Sequence, residues 1–276
     1  MKIITIVKTW TLDFPLRMAV ALLAGMLLTF GAAAQTVRIA AAADLQYAME
    51  DLARQYEKHS PAKLAVTYGS SGNFYAQIQN GAPFDLYFSA DISYPQKLVE
   101  AGLAEKDSLY NYARGRIVLW VGKDFALDPA LLEWKILEDS RVEKIAIANP
   151  EHAPYGAAAV AALKKAGEYD TVQAKFVYGE NISQTAQFVQ SGSAQVGIVA
   201  LSLAISPAMR DGKRWEVPQE FYPPLNQAVV ILKSSPNQTA AKAFLEFLKS
   251  DTGRATLARY GFTAAEVSAG AASNKP

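Results

Sequence analysis

The sequence predicts an α/β protein of two lobes, each a mostly parallel sheet flanked by helices, joined by two crossing strands. Three observations carry that prediction. Short β-forming runs alternate with amphipathic helical stretches along most of the chain, the pattern of parallel sheets covered on both faces. The strongly β-forming run Arg116-Ile117-Val118-Leu119-Trp120-Val121 follows a polar stretch and restarts the alternation, which marks a first crossing. A run of the same character, Gln227-Ala228-Val229-Val230-Ile231-Leu232, returns the chain after the second set of elements.

In chain order, residues 1–34 read as an address. Lys2, Lys8 and Arg17 precede an apolar run from Met18 to Phe30, and Ala32-Ala33-Ala34 supplies small residues for cleavage before Gln35. The run is shorter than the roughly 20 residues that span a bilayer, so the expectation is a cleaved signal peptide and no stable membrane insertion. Val37 to Ala43 is the first strand. From Asp44 the pattern turns helical, with Leu45, Ala48, Met49, Leu52 and Tyr56 at three- and four-residue spacing. Lys63 to Tyr68 is a strand, Tyr75 to Gln79 a helix, Asp85 to Ser89 a strand and Pro95 to Ala101 a helix.

After the first crossing come strand Lys144 to Ala148, helix Ala157 to Ala166, strand Lys175 to Tyr178, helix Ser183 to Gln190 and strand Gln195 to Val199. Helices Ala240 to Lys249 and Asp251 to Tyr260 pack back on the first lobe. The predicted organisation is a leader over 1–34, lobe one over 36–114 plus 226–263, lobe two over 115–225, and a flexible tail over 264–276 rich in Ala, Ser and Gly.

Composition excludes several classes of function. Removing the leader's three basic residues and one acidic residue from 27 Lys+Arg and 26 Asp+Glu leaves 24 against 25, with no basic stripe for nucleic acid. There is no cysteine, hence no disulfide scaffold, thiolate metal site, thiol nucleophile or lipid-anchored cysteine. His59 and His152 are the two histidines, and both read as surface groups. Gly69-Ser70-Ser71-Gly72-Asn73 lacks the final glycine of a nucleophile elbow, and no Walker loop or H-E-x-x-H occurs, so the chain is not read as an enzyme. A sensor half of a transcription regulator needs a helix-turn-helix in front, where this chain carries the leader instead.

The most informative stretch runs from Tyr68 to Asp91: a strand, the loop Gly69-Ser70-Ser71-Gly72, a helix, the turn Asn80-Gly81-Ala82-Pro83 and a second strand. A strand that ends in small residues and opens into a helix aims several N–H groups at one spot, an anion site that needs no basic side chain. The hydroxyls of Ser70 and Ser71 add donors. This stretch resembles the corresponding segment of bacterial periplasmic molybdate-binding proteins, the soluble receptors of molybdate ABC importers, and the likeness covers roughly residues 36–263. It implies the type II periplasmic binding protein fold. It also implies a monomer in the periplasm that holds molybdate or tungstate, uses no cofactor, and meets a membrane permease transiently.

Carried over residue by residue, the resemblance places the first ligand contact on Asp44, where the family commonly has Ser or Asn. The second falls on Ser71, with Ser70 beside it. The third falls on Tyr155, and the fourth on the backbone N–H of Ile182. Molybdenum enters only inside the oxyanion, through Ser71, Tyr155 and Ile182. Another branch has a Tyr after the Gly-Ile-Val strand, where this chain has Ala200. Ser71 and Tyr155 are expected to face the cleft and matter little to stability. Asp44 reads first as the N-cap of a helix beginning at Leu45. The alternative is that it accepts a hydrogen bond from a protonated oxyanion such as phosphate or arsenate. Asp85 and Asp91 read as structural, and Trp120, Trp134 and Trp215 as packing.

Overall fold

The computed structural model describes residues 35–265, so the expected leader over 1–34 and the tail beyond 265 lie outside the described residues. The first pass of the chain is β1 (Thr36–Ala42), α1 (Gln46–Glu57), β2 (Lys63–Gly69), α2 (Ser71–Gln79), β3 (Leu86–Ser89), α3 (Ser93–Glu100) and β4 (Tyr110–Gly115). The second is β5 (Ile117–Val121), α4 (Pro129–Leu132), β6 (Ile145–Ala148), α5 (Pro154–Ala166), α6 (Tyr169–Val172), β7 (Phe176–Gly179), α7 (Ile182–Gln190), β8 (Val196–Ala200), α8 (Leu201–Ala204) and β9 (Lys213–Glu216). Strand β10 (Leu225–Ile231) then returns, followed by α9 (Gln238–Lys249) and α10 (Asp251–Arg259).

These strands make two five-stranded sheets, ordered β2-β1-β3-β10-β4 and β7-β6-β8-β5-β9. In the first, β1 runs parallel to β2 and β3, while β10 runs antiparallel to both β3 and β4. In the second, β6 runs parallel to β7 and β8, while β5 runs antiparallel to β8 and β9. The two sheets therefore share one plan, a mostly parallel sheet with a single reversed strand. In each, the reversed strand is the first to enter after a crossing. The crossings are tight: Arg116 alone separates β4 from β5, and residues 217–224 separate β9 from β10.

Both faces of the first sheet are covered, and the pleat sorts its side chains between them. Val37, Ile39 and Ala41 of β1, Leu86 and Phe88 of β3, and Val229 and Ile231 of β10 join a core with Leu45, Leu52, Phe244 and Leu257. The alternate residues Ala40, Tyr87 and Val230 face the other way, against Phe74, Ile78 and Leu98. This period-two sorting is why the strands read as continuous apolar runs. The second lobe has its own core, where Trp134 meets Trp215 edge-on at 5.2 Å and Trp120 is buried. Ala42 at the end of β1, and Ala43 and Ala90 just beyond β1 and β3, pack into that core as well.

Strands β4 and β9 are the elements the sequence pattern misses. Their sequences, YNYARG and KRWE, lie at sheet edges, where polar and charged residues interrupt any apolar run. A larger departure occurs at the first helix. A short 3₁₀ turn over Ala43–Leu45 intervenes after β1, and the N-cap position of α1 is Leu45, with no side-chain cap. Asp44 is therefore not an N-cap. Its carboxylate is drawn inward by two buried donors instead.

Candidate functional site

The carboxyl ends of β1, β2, β6 and β7 open into helices or turns, and four of these loops converge. Together they line a small cavity formed by Ala42, Ala43, Asp44, Gly69, Ser70, Ser71, Ala90, Ala153, Pro154, Tyr155 and Ile182. All five residues carried over from the resemblance thus come to one place. Its volume is about 10 Å³, room for about one water molecule. The described lining includes no Lys or Arg. A groove of about 810 Å³ lies in the second lobe beside Trp120, Lys123 and Arg141, but Arg141 is paired with Asp139 at 2.8 Å and is exposed. The small cavity is the one where buried polar groups meet.

Ser71 opens α2 and is 1% exposed. Its Oγ accepts a hydrogen bond from the Ala90 N–H at 2.9 Å, and its carbonyl accepts one from the Tyr87 hydroxyl at 2.7 Å. A serine whose oxygen already accepts still has its own O–H to donate. The Ser71 hydroxyl is therefore structural as well as available, contrary to the expectation that it matters little to stability. Ser70 Oγ lies 2.9 Å from His152 Nδ1, a bond between the two lobes. His152 is not the surface group the sequence suggests.

Ile182 begins α7, whose N-cap is Asn181. The Asn181 carboxamide oxygen accepts from the N–H groups of Ser183 and Gln184. The cap thus covers the second and third N–H groups of the helix and not that of Ile182, which borders the cavity. Pro154 at the first turn of α5 presents Tyr155. The Tyr155 hydroxyl donates to Asp44 Oδ2 at 2.9 Å and accepts from Gln227 Nε2 at 3.0 Å.

Asp44 sits at the centre. Gln227 Nε2 donates to its Oδ2 at 2.6 Å, Tyr112 donates to Gln227 Oε1 at 2.7 Å, and Ser202 Oγ donates to the Asp44 carbonyl at 2.7 Å. Asp44 Oδ1 has no partner. Burial pushes the carboxyl up to about 7, against the opposing hydrogen bonds from Gln227 and Tyr155. Burial likewise holds Tyr155 and Tyr112 well above their ordinary range, so both stay neutral donors. Oδ2 already accepts twice, so any bond from Asp44 to a ligand in the cavity falls to Oδ1.

Gln227 and Tyr112 escaped the sequence reading. Gln227 looked like the start of a returning strand, but a register shift between Gln227 and Ala228 interrupts the pairing of β10 with β4. The extra residue is Tyr112 of β4, between the paired Asn111 and Ala113, and such a bulge re-aims a side chain. Asp85 is structural, as expected: Arg38 N–H, Ser235 Oγ and Asn237 Nδ2 all donate to it. These bonds overcome its burial and hold its carboxyl below the usual value.

Comparison with known proteins shows what the whole chain is similar to. A molybdate-binding protein ModA of Azotobacter vinelandii is 38% identical over 247 residues, 89% of this chain and 96% of that one. One from Rhodobacter capsulatus is 39% identical over 245 residues, 88% of this chain and 94% of that one. Among solved structures, an Azotobacter vinelandii periplasmic molybdate-binding protein superposes with a TM-score of 0.77 at 33% identity, covering 83% of this chain and all of that one. Residues 37–263 match the model of the bacterial extracellular solute-binding proteins, and the chain belongs to that family.

Proposed function

We propose that this protein captures molybdate or tungstate between its two lobes in the periplasm and delivers it to the permease of an ABC importer. The observation that carries the reading is the cavity itself: hydroxyls and a helix-start N–H from both lobes, with no basic side chain in the lining. Fixed neutral dipoles bind an anion without counter-charges to desolvate, and the cavity, now no larger than a water molecule, must widen around the ion as the lobes move. The relatives whose names state a ligand at this level of identity bind molybdate. Phosphate or arsenate is the less favoured ligand, because the relatives at this level of identity are named for molybdate. Residues 1–34 are the leader, Gln35 begins the mature chain, and the protein works as a monomer without a cofactor. Ser70, Ser71 and Ile182 touch oxygens of the anion, not the metal, while Tyr155, whose one proton goes to Asp44 Oδ2, borders the site and holds Asp44 in place.

Calorimetric titration of the mature protein with molybdate, tungstate, sulfate and phosphate tests this. Molybdate and tungstate should saturate one site, and phosphate should bind weakly. Ser71→Ala should weaken molybdate binding about ten- to a hundredfold, the value of one hydrogen bond to a charged group. It should also lower stability by about 1–3 kcal/mol, because the buried Ala90 N–H loses its acceptor. No molybdate binding, or phosphate bound over molybdate, would overturn the reading.

A further inference from the structure

An ionised Asp44 would be the worst possible neighbour for a dianion, and nothing packed around it offers a positive charge. From β4 comes Tyr112, from α5 Tyr155, from β10 Gln227 and from α8 Ser202, all neutral groups. Its own turn contributes only backbone N–H groups. Asp44 is 1% exposed and is one of the residues that line the cavity. Its two oxygens are unequal. Oδ2 accepts from two donors, whereas Oδ1 is a buried oxygen with no partner. A buried polar atom left unpaired costs on the order of 1–3 kcal/mol, so Oδ1 needs a role. As a carboxylate oxygen it can only accept, and the cavity's intended occupant is itself all acceptors. As O–H it becomes one more neutral donor of the kind that lines the rest of the site.

We propose that Asp44 carries a proton on Oδ1 when the site is filled and donates it to the bound oxyanion, so that above neutral pH each captured dianion brings one proton in from solvent. This rests on the oxyanion reading given above. Oδ2 cannot hold the proton without losing Gln227 or Tyr155, which fixes it on Oδ1. Burial alone already raises the carboxyl to about 7, and a dianion beside it raises it further. Asp44 then sets specificity as well. A fully deprotonated oxyanion can accept from every donor in the cavity, whereas an oxyanion that keeps a proton would present a donor to a donor.

Sodium molybdate titrations in two buffers of different ionisation enthalpy count the protons directly. Wild-type protein should take up close to one proton per molybdate at about pH 8 and few at about pH 6. Its affinity should fall about tenfold for each pH unit above about 7. Asp44→Asn keeps an acceptor for Gln227 and Tyr155 and gains a permanent N–H donor. It should take up no proton and bind molybdate about tenfold more tightly than wild type at about pH 8. The wild-type proton count stands whether or not the variant folds. Molybdate bound without proton uptake at about pH 8, and with the same affinity across this range, overturns the proposal and leaves the oxyanion reading intact. Absence of molybdate binding even at about pH 6 overturns both.

Discussion

Asp44 in the unfolded chain has the ordinary carboxyl value of 3.8, and burial raises it to about 7 in the folded one. Between those values the native state binds a proton that the unfolded state has released. The associated stability is therefore complete below 3.8 and is lost as pH rises through about 7. A rise of that size is worth on the order of 4 kcal/mol. Urea unfolding of the ligand-free protein should show a midpoint that declines from about pH 5 to pH 8, and Asp44→Asn should lack that decline. Equal pH profiles for the two proteins would mean that Asp44 is not titrating in the fold. The family resemblance placed contacts on Asp44, Ser71, Tyr155 and Ile182, each in a loop after a strand, and such a match is a local signal. Sequence alone misassigns the bonding of Asp44 for the same reason. Helix capping is decided within three residues, whereas Tyr155 and Gln227 lie 111 and 183 residues away in the chain.

Elements position this network through close approach. Gly115 ends β4 immediately before the first crossing, and a Cβ there would sit 2.1 Å from the Tyr155 hydroxyl and 2.7 Å from Gln227 Nε2. Neither group can retreat without breaking its bond to Asp44. Gly115→Ala should therefore cost about 1–3 kcal/mol of stability by overpacking and should also weaken molybdate binding, since Tyr155 is displaced. Thermal unfolding and titration of the same variant would separate the two effects. A variant with wild-type values in both would show that β4 and α5 have slack at this point. Core strands and long helices were legible because burial on both faces writes itself as apolar runs and period-3.6 stripes. Strands β4 and β9 were not, because edge strands keep polar residues. The bulge opposite Gln227 was not legible either, since its extra residue, Tyr112, lies in the partner strand.

Across the whole molecule, the lobes meet along a short seam beside the cavity. Gly72 N–H donates to the His152 carbonyl at 2.9 Å, Ser70 Oγ bonds His152 Nδ1 at 2.9 Å, and Asn73 Nδ2 donates to Glu180. His152 Nε2 lies 3.8 Å from Glu180, and Ser183 Oγ donates to Gln46 Oε1 at 2.9 Å. A Cβ on Gly72 would come within 2.8 Å of the His152 carbonyl, so glycine permits this approach. The seam flanks a cavity too small for a tetrahedral oxyanion, so capture and release require the lobes to part. His152 bridges them with both its backbone and its ring. Removing the ring should then raise the rate of opening without touching the oxyanion's own donors, other than leaving Ser70 free to rotate. His152→Ala loses a net hydrogen bond of about 0.5–1.5 kcal/mol, which predicts molybdate affinity lower by about two- to tenfold, mostly through faster release. The fold should be unaffected, because the backbone bond from Gly72 remains. Small-angle scattering of the ligand-free variant should report a larger mean radius than wild type, and the two should converge at saturating molybdate. Wild-type release kinetics together with an unchanged radius would show that the seam is a consequence of closure and not one of its causes.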